Sequence, residues 1–347
     1  NSYGTQSKEK LLEASAGQPA LDIFFTPKGD KAVCNSACNG CYYFSYFQGE
    51  KVAIPSSQVP DLVEKSSLLG YSSVFLITSE LLLAENWQEI INSTGDTYVN
   101  TNGKIIASKG KSILEDMEKS GIEQIVITAN IPGYHSGLDL TDEDLVQKAF
   151  QNIHNYKSKQ FNTIATVIVT SENYSHLSEM ADYVKNVYKA DGVKFISYLP
   201  LPPNGITELS PTLEQLEEAI DLISELREKY DVEEFAIQRS GTFGSQGLSD
   251  SKKKQFCPAG DSLVTIISQE EGTPVTPCIF ISDVEIGNIQ EGVPIIDGDQ
   301  LDSFLQLKEQ AIQDGYCPAH YISTVKNEKG FVPDLVQIKI PEVKNEI

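Results

Sequence analysis

The chain has no apolar run near the ~18 residues that a bilayer-spanning helix requires, and its first residues lack the charged, apolar and small-residue zones of a secretory signal. Basic residues are scarce, with 27 Lys and Arg against 49 Asp and Glu and a formal net charge of −22. Nucleic-acid binding needs a basic footprint and is excluded as a general activity. An anionic membrane surface would repel such a chain. The acidic surplus otherwise reads as solvent-face charge and names no partner. Cysteine is sparse too: six residues, with no small disulfide framework around them. That is the usage of a reducing compartment, so a cytoplasmic protein is expected. The chain starts at Asn1 rather than Met and is read as trimmed. His135, His154 and His176 fall in loop or helix positions and are assigned no role.

What is present is a regular alternation. The 347 residues suit about two domains, or one α/β barrel. Residues 21–25 are apolar and β-rich. Residues 59–69 carry Val59, Leu62, Val63 and Leu68 at helical spacing, with Gly70 as a stop. Residues 73–78 form a continuous apolar run of strand length, as in a sheet covered on both faces. Further strands are expected at 97–100, 124–128, 163–170 and 193–198, with helices around 87–91, 113–117, 145–153 and 177–184. Thr141 is expected to cap the helix at 145–153. A long amphipathic helix is expected over 212–230, and a last strand over 235–238. Six strand–helix units in alternation imply a parallel sheet with right-handed crossovers. In such barrels the chemistry sits at the C-terminal ends of the strands.

Cys34, Cys38 and Cys41 lie in one loop after the first strand, spaced Cys-x3-Cys-x2-Cys. The run offers three thiolates and no fourth. Two other uses fit less well. A structural zinc site usually pairs two Cys-x2-Cys units, or one with a His pair. Disulfide pairing would leave a thiol over.

This spacing resembles the signature of the radical S-adenosylmethionine (SAM) enzymes. The resemblance implies that Cys34, Cys38 and Cys41 hold a [4Fe–4S] cluster whose fourth iron binds SAM. It implies reductive cleavage to a 5′-deoxyadenosyl radical, which abstracts hydrogen from substrate. It also implies an α/β fold, a partial (β/α)6 TIM-like barrel, with the cysteine loop at a strand's C-terminal end. Many members carry an aromatic residue just before the third cysteine; Gly40 stands there, and Tyr42, Tyr43 and Phe44 follow. Where the family often has Gly-Gly-Glu-Pro, this chain has Thr78-Ser79-Glu80-Leu81. Glu80 is thereby expected to meet the ammonium of SAM, with Thr78 and Ser79 beside it; a solvent-facing first-turn carboxylate is the plainer reading. Residues 97–103 resemble the family's third strand with its Thr-Asn-Gly end. Thr128 stands where a ribose-contacting serine is common. Residues 169–174 resemble a strand ending found in peptide-modifying members.

Beyond residue 240 the pattern changes. Residues 241–254 are rich in Gly, Ser and Lys. Strands at 263–267 and 275–280 flank a hairpin signal at 271–274, and a helix is expected over 301–313. Cys257 with Gly260, the Pro277-Cys278 pair, Gly287-Asn288-Ile289 and Cys317-x2-His320 resemble the C-terminal extension called SPASM or, in short form, twitch. The resemblance implies a second, auxiliary [4Fe–4S] cluster on Cys257, Cys278 and Cys317, with His320 as fourth ligand or one iron left open. Buried free thiols are the plainer reading, and a cysteine that donates a hydrogen atom is another.

The expected divisions are a lead-in at 1–17, the barrel at 18–240, a linker at 241–256, the auxiliary-cluster extension at 257–330 and a tail at 331–347. The expected function is maturation of a ribosomally made peptide by crosslinking, epimerisation or backbone excision. Its partners would be a precursor peptide, a low-potential electron donor and a separate leader-binding protein, since no leader-binding domain precedes the barrel. Two alternatives stand beside it: a twitch-type dehydrogenase of a small molecule, and a non-enzymatic iron–sulfur or zinc protein.

Overall fold

The computed structural model of the chain describes residues 20–27, 34–36, 38–41, 43, 54–68, 71, 73–200 and 205–240, then 259–260, 263–268, 272–278, 281, 284–290, 292–313, 318 and 322. Cys257, Cys317 and His320 lie outside the described residues, as do Tyr42 and Phe44. The chain forms two compact units, one of residues 1–31, 46–78 and 248–347, the other of residues 32–45 and 79–247.

The first unit is organised on β1 (Ala20–Thr26), which is buried from Leu21 onward. A strand so covered must satisfy its backbone on both edges. The short β2 (Ile54–Pro55) pairs with it in parallel at Phe25 and Thr26, and β3 (Ser73–Ile77) pairs with it in parallel from Ala20 to Phe24. Between them α1 (Val59–Leu68) buries Val59, Leu62, Val63 and Ser66. Leu68, expected in the same apolar stripe, is exposed.

The second unit holds a five-stranded parallel sheet in chain order: β4 (Tyr98–Thr101), β5 (Gln124–Thr128), β6 (Asn162–Val169), β7 (Gly192–Ser197) and β8 (Ala236–Arg239). Helices separate the strands, as parallel pairing requires. They are α2 (Trp87–Thr94), α3 (Lys104–Lys109), α4 (Lys111–Lys119), α5 (Glu143–Asn155), α6 (Leu177–Tyr183) and α7 (Leu213–Lys229). Each amphipathic stripe meets the core: α5 buries Val146, Ala149, Phe150 and Ile153, and α7 buries Leu216, Ala219, Ile220, Ile223 and Leu226. Thr212 opens α7 with a capping box to Gln215. Thr141 does not cap α5. Asp142 does, its carboxylate accepting from the Asp144 and Leu145 amides at 3.0 and 3.4 Å. After α6 a π-helical turn, Val184–Tyr188, lets Tyr188 donate its hydroxyl to the Asn130 carbonyl at 3.0 Å, which anchors the loop after β5.

The chain then returns to the first unit. There β9 (Leu263–Ile266) pairs in parallel with β1 at Ala20–Ile23. The expected hairpin is present: Thr265 and Thr276 exchange backbone hydrogen bonds at 2.8 and 3.0 Å. β10 (Pro274–Val275), β11 (Gly287–Gln290) and β12 (Val293–Ile296) form a small antiparallel sheet, and α8 (Gly298–Gln313) follows. The architecture is thus mixed α/β with parallel sheets. No helix among the described residues is long and apolar enough to cross a membrane.

Asp22 sits inside β1 with 4% exposure, and the Thr265 hydroxyl donates to its carboxylate at 3.2 Å. Burial pushes its pKa from 3.8 up to about 7, and the Thr265 hydrogen bond opposes this. Folding therefore binds this proton more tightly than the unfolded chain does. The contribution to stability is complete below 3.8 and is lost as pH rises to about 7. Asp22→Asn cannot ionise and escapes that loss. Its urea midpoint relative to the parent should rise between about pH 5 and about pH 8, and a pH-independent difference would contradict the burial argument.

Candidate cofactor sites

The cysteine loop belongs to the second unit, and side chains from distant segments hold it there. The Asn39 amide donates to the Leu138 carbonyl at 3.0 Å, and the Asn39 side chain donates to the Asp139 carboxylate. Ser36 and Thr141 share a buried hydroxyl–hydroxyl bond of 3.1 Å. Thr141 thus serves the loop rather than the helix it precedes. Lys104 donates from Nζ to the Asn35 carbonyl at 2.8 Å, and Asn102 donates to Asn35 Oδ1 at 2.6 Å.

Gly40 has φ +65°, and a Cβ placed there would lie 2.3 Å from Tyr198 Oη and 3.3 Å from Leu138 Cδ2. Only glycine combines that backbone with that approach. Tyr198 is itself fixed, since it accepts from the Ile206 amide at 2.9 Å and packs with Leu138 and Leu209. An aromatic ring therefore does lie against this position of the loop, although it comes from the end of β7. Tyr43, after the third cysteine, is 2% exposed and belongs to the core.

Cys34, Cys38 and Cys41 form no disulfide among the described residues, and each is partly buried. Burial raises the pKa of Cys34; the charges of Glu80 and Cys41 raise it further, and N–H donors from Ser36 and Asn102 oppose them. Those donors reach Cys34 Sγ at 3.3 and 3.8 Å. Cys38 is pushed up to about 11, first by burial and then by the charges of Cys41 and Cys34, against the pull of Lys104. Neighbouring thiols whose charges oppose ionisation of Cys34 and Cys38 make a poor metal-free arrangement. Iron removes the conflict by taking all three as thiolates, and N–H groups aimed at a sulfur suit a ligated thiolate better than a thiol. The residues fit a [4Fe–4S] cluster. Among the described residues no three His, Cys, Asp or Glu side chains converge on a single metal ion. A zinc site needs such convergence, whereas thiolates of a four-iron cluster bind different irons.

Glu80 follows β3 and is 1% exposed. Its carboxylate accepts from Thr101 Oγ1 at 2.9 Å, from the Asn102 amide at 2.8 Å and from the Leu82 amide at 3.3 Å. Burial nonetheless pushes its pKa up to about 7, because no cation stands beside it among the described residues. The plainer expectation of a solvated first-turn carboxylate is wrong. Asn102 and Gly103, expected as a turn, open α3: Thr101 Oγ1 accepts from the Gly103 amide and Asn102 Oδ1 from the Lys104 amide. Ser79 is partly buried beside Glu80, and Thr128 ends β5, also partly buried. Thr78 closes the first unit, with its hydroxyl buried and making no hydrogen bond. At 169–174, Asn173 is fully interior, accepting from the Thr170 amide at 2.9 Å and donating to the Ile168 carbonyl at 3.1 Å.

For the second cysteine set, Cys278 is a partly buried residue of the first unit and forms no disulfide among the described residues. The Gly260 amide donates to the Pro277 carbonyl at 3.3 Å, so a residue three past Cys257 meets the residue preceding Cys278. Lys308 from α8 donates to the Ala259 carbonyl at 3.1 Å, and a Cβ on Gly260 would lie 2.7 Å from the Phe304 ring. The segment after Cys257 is thereby pinned to the helix that leads toward Cys317.

The Gly40 contact can be tested against Gly95, whose φ is +69° with nothing within 4 Å of a built Cβ. Gly95→Ala should cost only the left-handed backbone term, about 1–2 kcal/mol. Gly40→Ala should cost at least about 1 kcal/mol more, the overpacking penalty against Tyr198. Urea titration of the apo-protein reads both, and equal losses would remove Tyr198 from the loop's support.

No protein-family model matches the chain, and no curated protein matches it. Solved structures do. Streptococcus suis SuiB matches with a TM-score of 0.56 at 14% identity, over 82% of this chain and 65% of SuiB, so the chain spans about two thirds of that protein's length. SuiB bound to S-adenosylmethionine matches at 0.58 and 15% identity, over 84% of this chain and 67% of that one. SuiB bound to precursor peptide SuiA matches at 0.56 and 14%, over 91% and 69%. Native anSMEcpe with bound AdoMet and Cp18Cys peptide matches at 0.50 and 16%, over 82% and 80%. At such identities the likeness is one of fold, and the chain is similar in fold to SuiB and anSMEcpe, in agreement with the radical SAM resemblance of its cysteine loop.

Proposed function

We propose that the chain is a radical SAM enzyme that modifies a peptide. The observation that carries this reading is the loop of three partly buried cysteines, none in a disulfide among the described residues, with N–H donors directed at Cys34. The fold adds support, because its structural neighbours were solved with S-adenosylmethionine and with peptides.

In this reading Cys34, Cys38 and Cys41 hold the cluster. When bound, it supplies the electron for reductive cleavage of SAM. The chain's own residues do the rest. Ser36 and Asn102 direct N–H groups at the Cys34 sulfur, and Lys104 sets a positive charge near Cys38. Glu80 takes the ammonium of SAM: a desolvated carboxylate without a counter-ion is stabilised by an incoming cation. Its three protein donors leave part of the carboxylate's acceptor capacity free. Ser79 and Thr128 are further SAM contacts by resemblance. Cys257, Cys278 and Cys317 hold the auxiliary cluster, with His320 as a fourth ligand. The substrate is a precursor peptide, and a low-potential donor and a leader-binding protein are the partners. A cytoplasmic location follows from the same reading.

Anaerobic reconstitution tests it. The parent chain should carry about eight irons, as two four-iron clusters require, and should form 5′-deoxyadenosine from SAM under dithionite. Alanine at Cys34, Cys38 and Cys41 together should remove about half the iron and all of that product, whereas alanine at Cys257, Cys278 and Cys317 should remove the other half and leave some SAM cleavage. Cleavage by the first triple variant would refute the reading. A parent count near four irons would refute the auxiliary cluster alone.

Glu80→Gln keeps size and removes charge. Losing a charge-assisted hydrogen bond, roughly 1.5–3 kcal/mol, should weaken SAM binding by about one to two powers of ten. Equilibrium dialysis with SAM measures this, with the apo-protein's melting temperature as the control for the lost internal bonds. An unchanged dissociation constant places the ammonium elsewhere.

A further inference from the structure

The five-stranded sheet of the second unit has two unlike faces. One carries Val99, Ile127, Ala165, Val193 and Phe195, all at most 1% exposed. The other is partly open, and one polar row spans four of its strands. The parallel registers align Thr128 with Thr166, Thr166 with Lys194, and Lys194 with Gln238. Side chains at aligned positions share a face, about 4.8 Å apart from strand to strand. From β5 onward the row lies between two apolar ones, Val126–Ile164–Gly192–Ala236 on one side and Ile168–Ile196 on the other; Asn100 of β4 extends the first, and Gln124 and Asn162 pair at the starts of β5 and β6. Parallel sheets normally carry near-continuous apolar strands, so a polar row between apolar rows needs a cause other than folding.

Lys194 is the centre of that row. Among the described residues the strands hold two basic side chains, Lys194 and Arg239, and only Lys194 lies inside its strand. It is partly buried, and burial lowers its pKa. No hydrogen bond or ion pair reaches its ammonium among the described residues, in a chain of formal charge −22. The side chains of Thr166 and Gln238, on either side, are equally unengaged among the described residues. A partly desolvated cation without a counter-ion costs stability. That cost is offset when an anion arrives, and the flanking hydroxyl and amide can hydrogen-bond it.

We propose that the Thr166–Lys194–Gln238 row is a carboxylate subsite that holds an acidic side chain of the peptide substrate. This assignment rests on the peptide-modifying reading above. The protein's own charge repels an acidic peptide as a whole. Preference for glutamate over glutamine therefore requires a local cation, and Lys194 supplies it.

The test uses reconstituted protein with SAM and two labelled hexapeptides of alternating alanine and glutamate, or alanine and glutamine. Fluorescence anisotropy should show the glutamate peptide bound at least about tenfold more tightly, the size of one charge-assisted contact. Lys194→Met should abolish that preference, and Lys194→Arg should restore most of it. Equal binding of the two peptides by the parent, or a preference that survives Lys194→Met, overturns the subsite. SAM supplies the other carboxylate, so its dissociation constant is measured in the same variants. It should not move with Lys194→Met; a rise there with the peptide preference intact assigns the lysine to SAM and overturns the proposal. Formation of 5′-deoxyadenosine is read separately, so failure of the radical reading and failure of the subsite give different results. Lys194→Met should also raise the melting temperature, by about 2–4 °C, as uncompensated desolvation is relieved.

Discussion

The carboxylate of Glu80, buried without a cation, accepts from a hydroxyl and two backbone amides. It holds the end of β4 at Thr101 and fixes the backbone of Asn102. The Asn102 side chain then reaches both Asn35 and the Cys34 sulfur. One desolvated charge therefore determines where the first cysteine stands. Leaving a buried donor unsatisfied costs about 1–3 kcal/mol, so the three bonds form a strong constraint even though the charge is unfavourably placed. The same group restrains the loop and presents a negative site. A ligand cation would strengthen both roles, by relieving the desolvation that raises the Glu80 pKa.

Much of this was legible in the residues because its causes are local. A continuous apolar run such as 73–78 can only be a covered strand or a buried helix segment, and its length decides between them. Eight expected strands appear within one or two residues of their places; β2 was not expected, and the strand expected over 275–280 is described only as Pro274–Val275. Three cysteines in eight positions stand out without any fold. Glu80 was legible as a residue of interest, yet its burial and internal partners were not. Those depend on Thr101 and Asn102 folding back upon it.

The unread parts share one property: they depend on long-range placement. Thr141 and Asp142 both carry a cap-forming oxygen, and only the Ser36 contact, 105 residues away, decides which is free to cap. The six-residue α3 between Gly103 and Gly110 is too short for a periodic signal. β12 contains Pro294, which argues against a strand in isolation. Thr166 and Lys194 each look like minor interruptions of an apolar run. Their meaning arises only when the register sets them side by side with Gln238.

The support of the cysteine loop sets an order on biogenesis. Asn102, Leu138, Thr141 and Tyr198 emerge from the ribosome long after Cys41. The nascent loop therefore lacks its full set of supports until residue 198 has been made. It reaches its final shape only when the β7 segment has docked Tyr198 against Gly40. The order of synthesis therefore places the fixing of this loop after the fourth strand of the second unit's sheet, whatever the loop goes on to hold.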